Sequence, residues 1–102
     1  MTFVSKTRKA THDLDEIWYY IAVDSPSSAD SLLEEIYSCA HILSENPKMG
    51  RPRPELGKNI LSFPIKRYVM FYFIIKDGIQ LIRVLHSSRD SMLIAKHGGF
   101  NA

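Results

Sequence analysis

The chain has 102 residues, 45% hydrophobic and 24% charged, with a formal charge of +2. That length admits one domain over residues 1–102 and excludes two, and the composition is that of an ordinary globular fold. The single cysteine, Cys39, excludes an intramolecular disulfide. The charge is unevenly spread. Residues 1–47 hold three basic and eight acidic side chains, a charge of −5, and residues 48–102 hold ten basic and three acidic, a charge of +7. A basic half of this kind either meets an anionic surface or lies under two acidic helices. Lys6, Arg8 and Lys9 lead into acidic rather than apolar sequence, so no signal peptide is expected. No apolar run is long enough to span a bilayer, and the expected location is cytoplasmic.

In chain order, Thr2 to Lys6 is a candidate edge strand. Thr7 or Thr11 then caps a helix, and Asp13, Asp15 and Glu16 sit in its early turns, where negative charge suits the helix dipole. Ala10, Leu14, Ile17, Trp18 and Ile21 recur at the spacing of one apolar helical face, and the helix ends near Val23-Asp24. Ser25-Pro26 restarts a helix, with Ser25 as cap and Pro26 at the first position, where its missing N–H costs nothing. Ala29, Leu32, Leu33, Ile36, Ala40 and Leu43 line one face of this second helix. So short a link forces the two helices into a hairpin. Asn46-Pro47 ends the second, because the residue before proline avoids helical geometry.

Lys48 to Lys58 reads as a loop and Ile60 to Phe63 as a short strand, with Pro64 at its end. Tyr68 to Ile75 and Ile79 to Leu85 are two apolar runs split by Lys76-Asp77-Gly78, the pattern of a β-hairpin. Ser91 to Lys96 has room for one or two helical turns, and His97 to Phe100 reads as a frayed tail. The order is β-α-α-β-β-β, an α+β fold with a helical hairpin on a small antiparallel sheet and a possible short C-terminal helix. Both faces of Tyr68 to Ile75 are apolar, yet the helical hairpin covers only one. The other is expected to lie bare and to bind a partner.

Several motifs occur in a characteristic order. Asp13-Leu14, Ile17 and Tyr20-Ile21-Ala22 lie on the first helix, and Ser25-Pro26 with Ala29 opens the second. Pro47, Gly50-Arg51, Arg53 and Glu55-Leu56 mark the loop. Ser62, Pro64, Tyr68 and Tyr72, then Ile82-Arg83-Val84-Leu85-His86 with Arg89-Asp90, mark the strands. This ordered set covers nearly the whole chain and resembles the ParE-type toxins of the RelE/ParE toxin–antitoxin superfamily. The resemblance implies a toxin of a type II pair, neutralised by a ParD-like antitoxin, with no cofactor. ParE-like members poison DNA gyrase, whereas RelE-like members cut messenger RNA on the ribosome.

The two activities ask for different sites. Cleavage by a 2′-hydroxyl needs a base, an acid and cations for the developing phosphate charge. The Tyr-Arg pair that RelE-like toxins carry on a central strand is here Tyr68-Val69, and no tyrosine follows Tyr72. The residues left for a nuclease are Arg51, Arg53, Lys66, Arg67, Arg83, His86 and Arg89. The expectation is therefore a protein-binding toxin without bond-breaking chemistry of its own. The alternatives are a ribosome-dependent endoribonuclease and a non-toxic remnant that only binds its partner. An antitoxin with an amphipathic helix and an extended acidic segment would meet Trp18, Tyr19, Tyr68, Met70 and Tyr72, with Arg51, Arg53, Arg83 and Arg89 as charge partners. Trp18 also falls on the apolar stripe, where it reads as core. His12, His41, His86 and His97 lack metal-ligand spacing, so no metal site is expected.

Overall fold

A computed structural model describes residues 1–101. The elements are β1 (Phe3–Lys6), α1 (Arg8–Ala22), α2 (Pro26–Glu45), a 3-10 turn (Pro47–Met49), β2 (Arg51–Pro52), β3 (Leu61–Ile65), β4 (Tyr68–Ile75), β5 (Gly78–His86) and α3 (Ser91–Lys96). Thr7, not Thr11, caps α1, its hydroxyl accepting from the amide of Ala10 at 3.1 Å. Ser25 caps α2 in the same way, accepting from Ser28 at 3.2 Å, with Pro26 at the first helical position. Among the described residues, no helix is long and apolar enough to cross a membrane.

The α+β class and the element order are as the sequence implies, with one addition: a two-residue strand, β2, within the stretch read as a loop. The sheet runs β1-β5-β4-β3-β2, with β1 parallel to β5 and the other pairs antiparallel. It is therefore mixed rather than wholly antiparallel. The link between β4 and β5 is two residues, Lys76-Asp77, and Asp77 takes the left-handed conformation at φ 61°. Gly78 already belongs to β5, where a Cβ would collide with the carbonyl oxygen of Phe3 on β1. Its small size serves strand approach rather than turn geometry.

Leu14 and Ile17 of α1 and Ile36, Ala40 and Leu43 of α2 pack on Met70, Tyr72, Ile79, Leu81 and Val84 of the sheet. This is the main core. A bulge shapes β5: Phe71 pairs with Arg83 and Tyr72 with Leu81, which leaves Ile82 as an extra residue. The bulge resets the alternation. Ile79, Leu81 and Val84 join the helical side, while Ile82 and Leu85 join a second core on the far side.

That second core corrects the expected bare sheet face. Phe71, Ile82 and Leu85 are buried there with Leu56 and Ile60 from the loop and Phe100 from the C-terminal segment, flanked by Ile94 and Ala95 of α3. Part of the cover is Phe100, and the segment 97–100 that carries it is hydrogen-bonded in place rather than frayed. Gly98 takes φ +77°, and the amides of Gly98 and Gly99 donate to Ala95 and Ile94 at 3.0 and 2.8 Å. This left-handed cap turns the chain back. Lys9 and Arg83 donate to the carbonyls of Gly98 and Gly99 at 3.0 and 2.7 Å. Phe100 is set edge-on to Phe71, with centroids 4.8 Å apart. Along β4, exposure survives mainly at Ile74.

Candidate functional site

The residues expected to form one exposed binding face separate into three groups, with Arg51 apart from all of them. Met70 and Tyr72 are fully buried core residues, which corrects their placement on that face. The Tyr72 hydroxyl donates to Pro47 at 2.7 Å and accepts from the Gly50 amide at 3.0 Å, so it anchors the turn after α2. Burial, the larger influence, raises its pKa above the ordinary phenol value.

Arg53 and Arg83 form the second group, and both serve the fold. Arg53 donates to Glu55 at 2.7 Å and to Ser62 at 3.3 Å, and its guanidinium lies 5.8 Å from the centre of the Phe71 ring. Its hydrogen bond is the first of the influences that lower the Glu55 pKa. Arg83 donates to both oxygens of Asp13, at 2.7 and 2.9 Å, and to the Gly99 carbonyl. Asp13 is buried and also accepts from the Val84 amide at 3.1 Å. The Thr7 hydroxyl donates to the carbonyl of Ile82 at 3.1 Å. The cap residue of α1 and a side chain of its second turn thus satisfy backbone groups of β5 beyond the point where β1 ends. An arginine so held is not free to meet a phosphate or a partner's carboxylate. Trp18 is half-buried and has a comparable duty, its indole donating to Asp30 of α2 at 2.8 Å across the helical hairpin.

The third group lines an open groove of about 1240 Å³ between the helical hairpin and one end of the sheet. Its floor includes Ile17, Leu32 and Val84. The helical side presents Tyr19 and Tyr20, 69% and 79% exposed, with Glu16 and Glu35. The opposite side presents Lys66 and Arg67 from the β3–β4 turn, Tyr68 from β4, and His86 and Arg89 from the end of β5 and beyond. The Ser87 amide donates to the Arg67 carbonyl at 2.8 Å, which joins the two basic segments. Lys66 sits at φ 55° and pairs with Glu35 at 3.4 Å. Arg67 and Arg89 have no ion-pair partner among the described residues.

His86 stacks edge-on to Tyr68 at 5.3 Å. Its Nδ1 accepts from the Ser88 amide at 3.1 Å and lies 2.8 Å from the Ser88 hydroxyl. A backbone N–H only donates, so in the neutral ring the proton sits on Nε2. Burial chiefly raises the Tyr68 pKa, and the nearby Tyr20 adds to the effect. Among the described residues, no cluster of three or more histidine, cysteine or carboxylate side chains is placed to hold a metal. Arg51 is exposed on β2 and lies outside the groove lining. The nuclease candidates therefore do not converge: two are tied into the fold, one is apart, and only Lys66, Arg67, His86 and Arg89 share a surface. Glu16 and Glu35 carry no sequence signal that places them in a groove. A signal existed for Tyr20, which lies three positions after Ile17 and so at the margin of the apolar stripe.

Residues 4–91 match the family model described as ParE toxin of type II toxin-antitoxin system, parDE. The chain is 28% identical over 83 residues to Toxin ParE3 of Caulobacter vibrioides, covering 80% of this chain and 83% of that protein. Toxin RelE3 of the same bacterium is 28% identical over 80 residues, covering 78% of this chain and 87% of the relative. Among solved structures, the chromosomal ParDE TA system from P. aeruginosa aligns with a TM-score of 0.69 at 23% identity, over 84% of this chain and 96% of that one. That likeness speaks for the fold. The family match runs from β1 to the first residue of α3, and so includes every segment that builds the groove. The chain belongs to the ParE toxin family of type II toxin–antitoxin systems.

Proposed function

We propose that this ParE-family toxin acts by binding and poisoning DNA gyrase, and that a ParD-type antitoxin neutralises it by seating an amphipathic helix in the groove. The observation that carries a binding mechanism is the state of Arg83. Its guanidinium is committed to Asp13 and Gly99, while the apolar-floored groove beside it stands open. Exposed apolar and aromatic surface of this extent, rimmed by charge, suits a protein partner. Family membership supports the antitoxin and, through the resemblance to ParE-like toxins, gyrase as target. Ribosome-dependent RNA cleavage is the competing activity.

Expression in bacteria without an antitoxin separates the two. The proposal expects growth arrest with filamentation and a DNA-damage response, relieved by co-expression of the antitoxin. An immediate halt in translation with codon-positioned message cuts, or unchanged growth, would count against it.

A further inference from the structure

The groove differs from a plain apolar slot in having walls of opposite charge. We infer that this polarity sets the direction in which a partner helix lies, acidic edge toward Arg67, His86 and Arg89 and basic edge toward Glu16. The inference rests on the antitoxin reading above and adds the orientation of the bound segment.

Three observations carry it. The groove, at about 1240 Å³, is larger than the roughly 300–1,000 Å³ of small-molecule sites, so a polypeptide fits it better than a metabolite. The β5 edge beside it is already used, with Thr7 on the Ile82 carbonyl and Asp13 on the Val84 amide. A strand cannot be added over that stretch, and an incoming segment must satisfy its own backbone groups, as a helix does. The charges are segregated, with Glu16 on the helical wall, its carboxylate 3.0 Å from the exposed His12 ring outside the groove lining, and the unpaired Arg67 and Arg89 on the other wall, beside the Nε2 donor of His86. Glu35 and Lys66 already neutralise each other where the walls meet. A nucleic-acid backbone would run against Glu16 along the helical wall. A helix with one acidic and one basic edge satisfies both walls in one direction and opposes both when reversed.

The test uses purified toxin and three synthetic helical peptides that share a leucine underside. One has a glutamate edge and a lysine edge, the second exchanges the two edges, and the third carries glutamine on both. A spin label at one end of each peptide reports direction through broadening of the toxin's amide signals along the groove. The first two peptides should bind about tenfold tighter than the third, as two or three partly desolvated charge pairs allow. They should lie in opposite directions. The toxin variant Glu16→Arg, Arg67→Glu, Arg89→Glu should reverse each direction, and all three positions are exposed, so the fold should survive. Equal affinity for the glutamine peptide, the same direction for both charged peptides, or no peptide binding overturns the inference. Occupation of the groove by a second copy of the chain or by a single-stranded oligonucleotide also overturns it. Peptide failure alongside growth rescue by the antitoxin would reject the orientation alone and leave the antitoxin reading standing.

Discussion

Replacing Arg83 by methionine should cost stability rather than catalytic chemistry. The side chains of Arg83 and Asp13 are only 14% and 7% exposed. Arg83→Met keeps much of the packing but removes both guanidinium bonds to Asp13, at 2.7 and 2.9 Å. The carboxylate would then stay buried with the Val84 amide as its remaining partner. Breaking one side of a buried pair costs about 3–5 kcal/mol, and the Gly99 carbonyl loses a charged donor as well. Residual exposure of Arg83 places the expected loss near the lower end, about 3–4 kcal/mol. At about 4–8 °C per kcal/mol for a domain of this size, the melting temperature should fall by at least about 12 °C. Urea denaturation of Arg83→Met, Asp13→Asn and the double variant measures the loss directly. The double variant should fall short of the summed single losses by about 2 kcal/mol, because each change removes the same interaction. A loss under about 1 kcal/mol for Arg83→Met, or simple additivity, would refute the structural role.

Phe100→Ala should destabilise by about 3–4 kcal/mol and speed amide exchange in α3, because Phe100 fills the second core against Phe71. Unchanged exchange would mean that the C-terminal segment is not held as described. Tyr72→Phe leaves the Gly50 amide and Pro47 carbonyl unpaired and should cost about 1–3 kcal/mol at neutral pH. Burial raises the Tyr72 pKa in the folded state, so the native chain keeps that proton to higher pH than the unfolded chain. Stability should therefore fall as pH rises past about 10, and Tyr72→Phe should flatten that fall in pH-dependent denaturation. Tyr68 and Cys39, also raised by burial, would contribute to the remaining slope. Gly78→Ala should loosen β1, since the added Cβ meets the Phe3 carbonyl, and exchange at the β1 amides should rise more than exchange across β3 and β4.

The helical hairpin was legible because its signals are local: Ser25-Pro26 starts α2, Asn46-Pro47 ends it, and the apolar stripes have helical spacing. The run Tyr68 to Ile75 announced a central strand for the same reason. What sequence reading lost was held by contacts distant along the chain. Phe100 looked like the end of a glycine-rich tail. Its burial depends on the Gly98 cap and on carbonyl contacts from Lys9 and Arg83, the former 89 positions away. The bulge at Ile82 has no local signature either, yet it decides which residues of β5 face the helices. The site obeys the same rule. Arg83 and Arg53 look like free cations until Asp13 and Glu55 are seen beside them. Glu16 and Glu35 read as solvated helix charges, and their place opposite Arg67 and Arg89 is a property of the fold.

If the antitoxin neutralises by covering the surface that meets the target, the most direct test of the proposal uses purified protein, gyrase, ATP and supercoiled plasmid. The wild-type chain should leave linear, gyrase-cleaved DNA. Tyr20→Ala with Arg89→Ala should lower that yield at least tenfold while keeping stability within about 0.5 kcal/mol, because both residues are exposed. Intact plasmid at saturating wild-type toxin, together with message cleavage on translating ribosomes, would contradict the account.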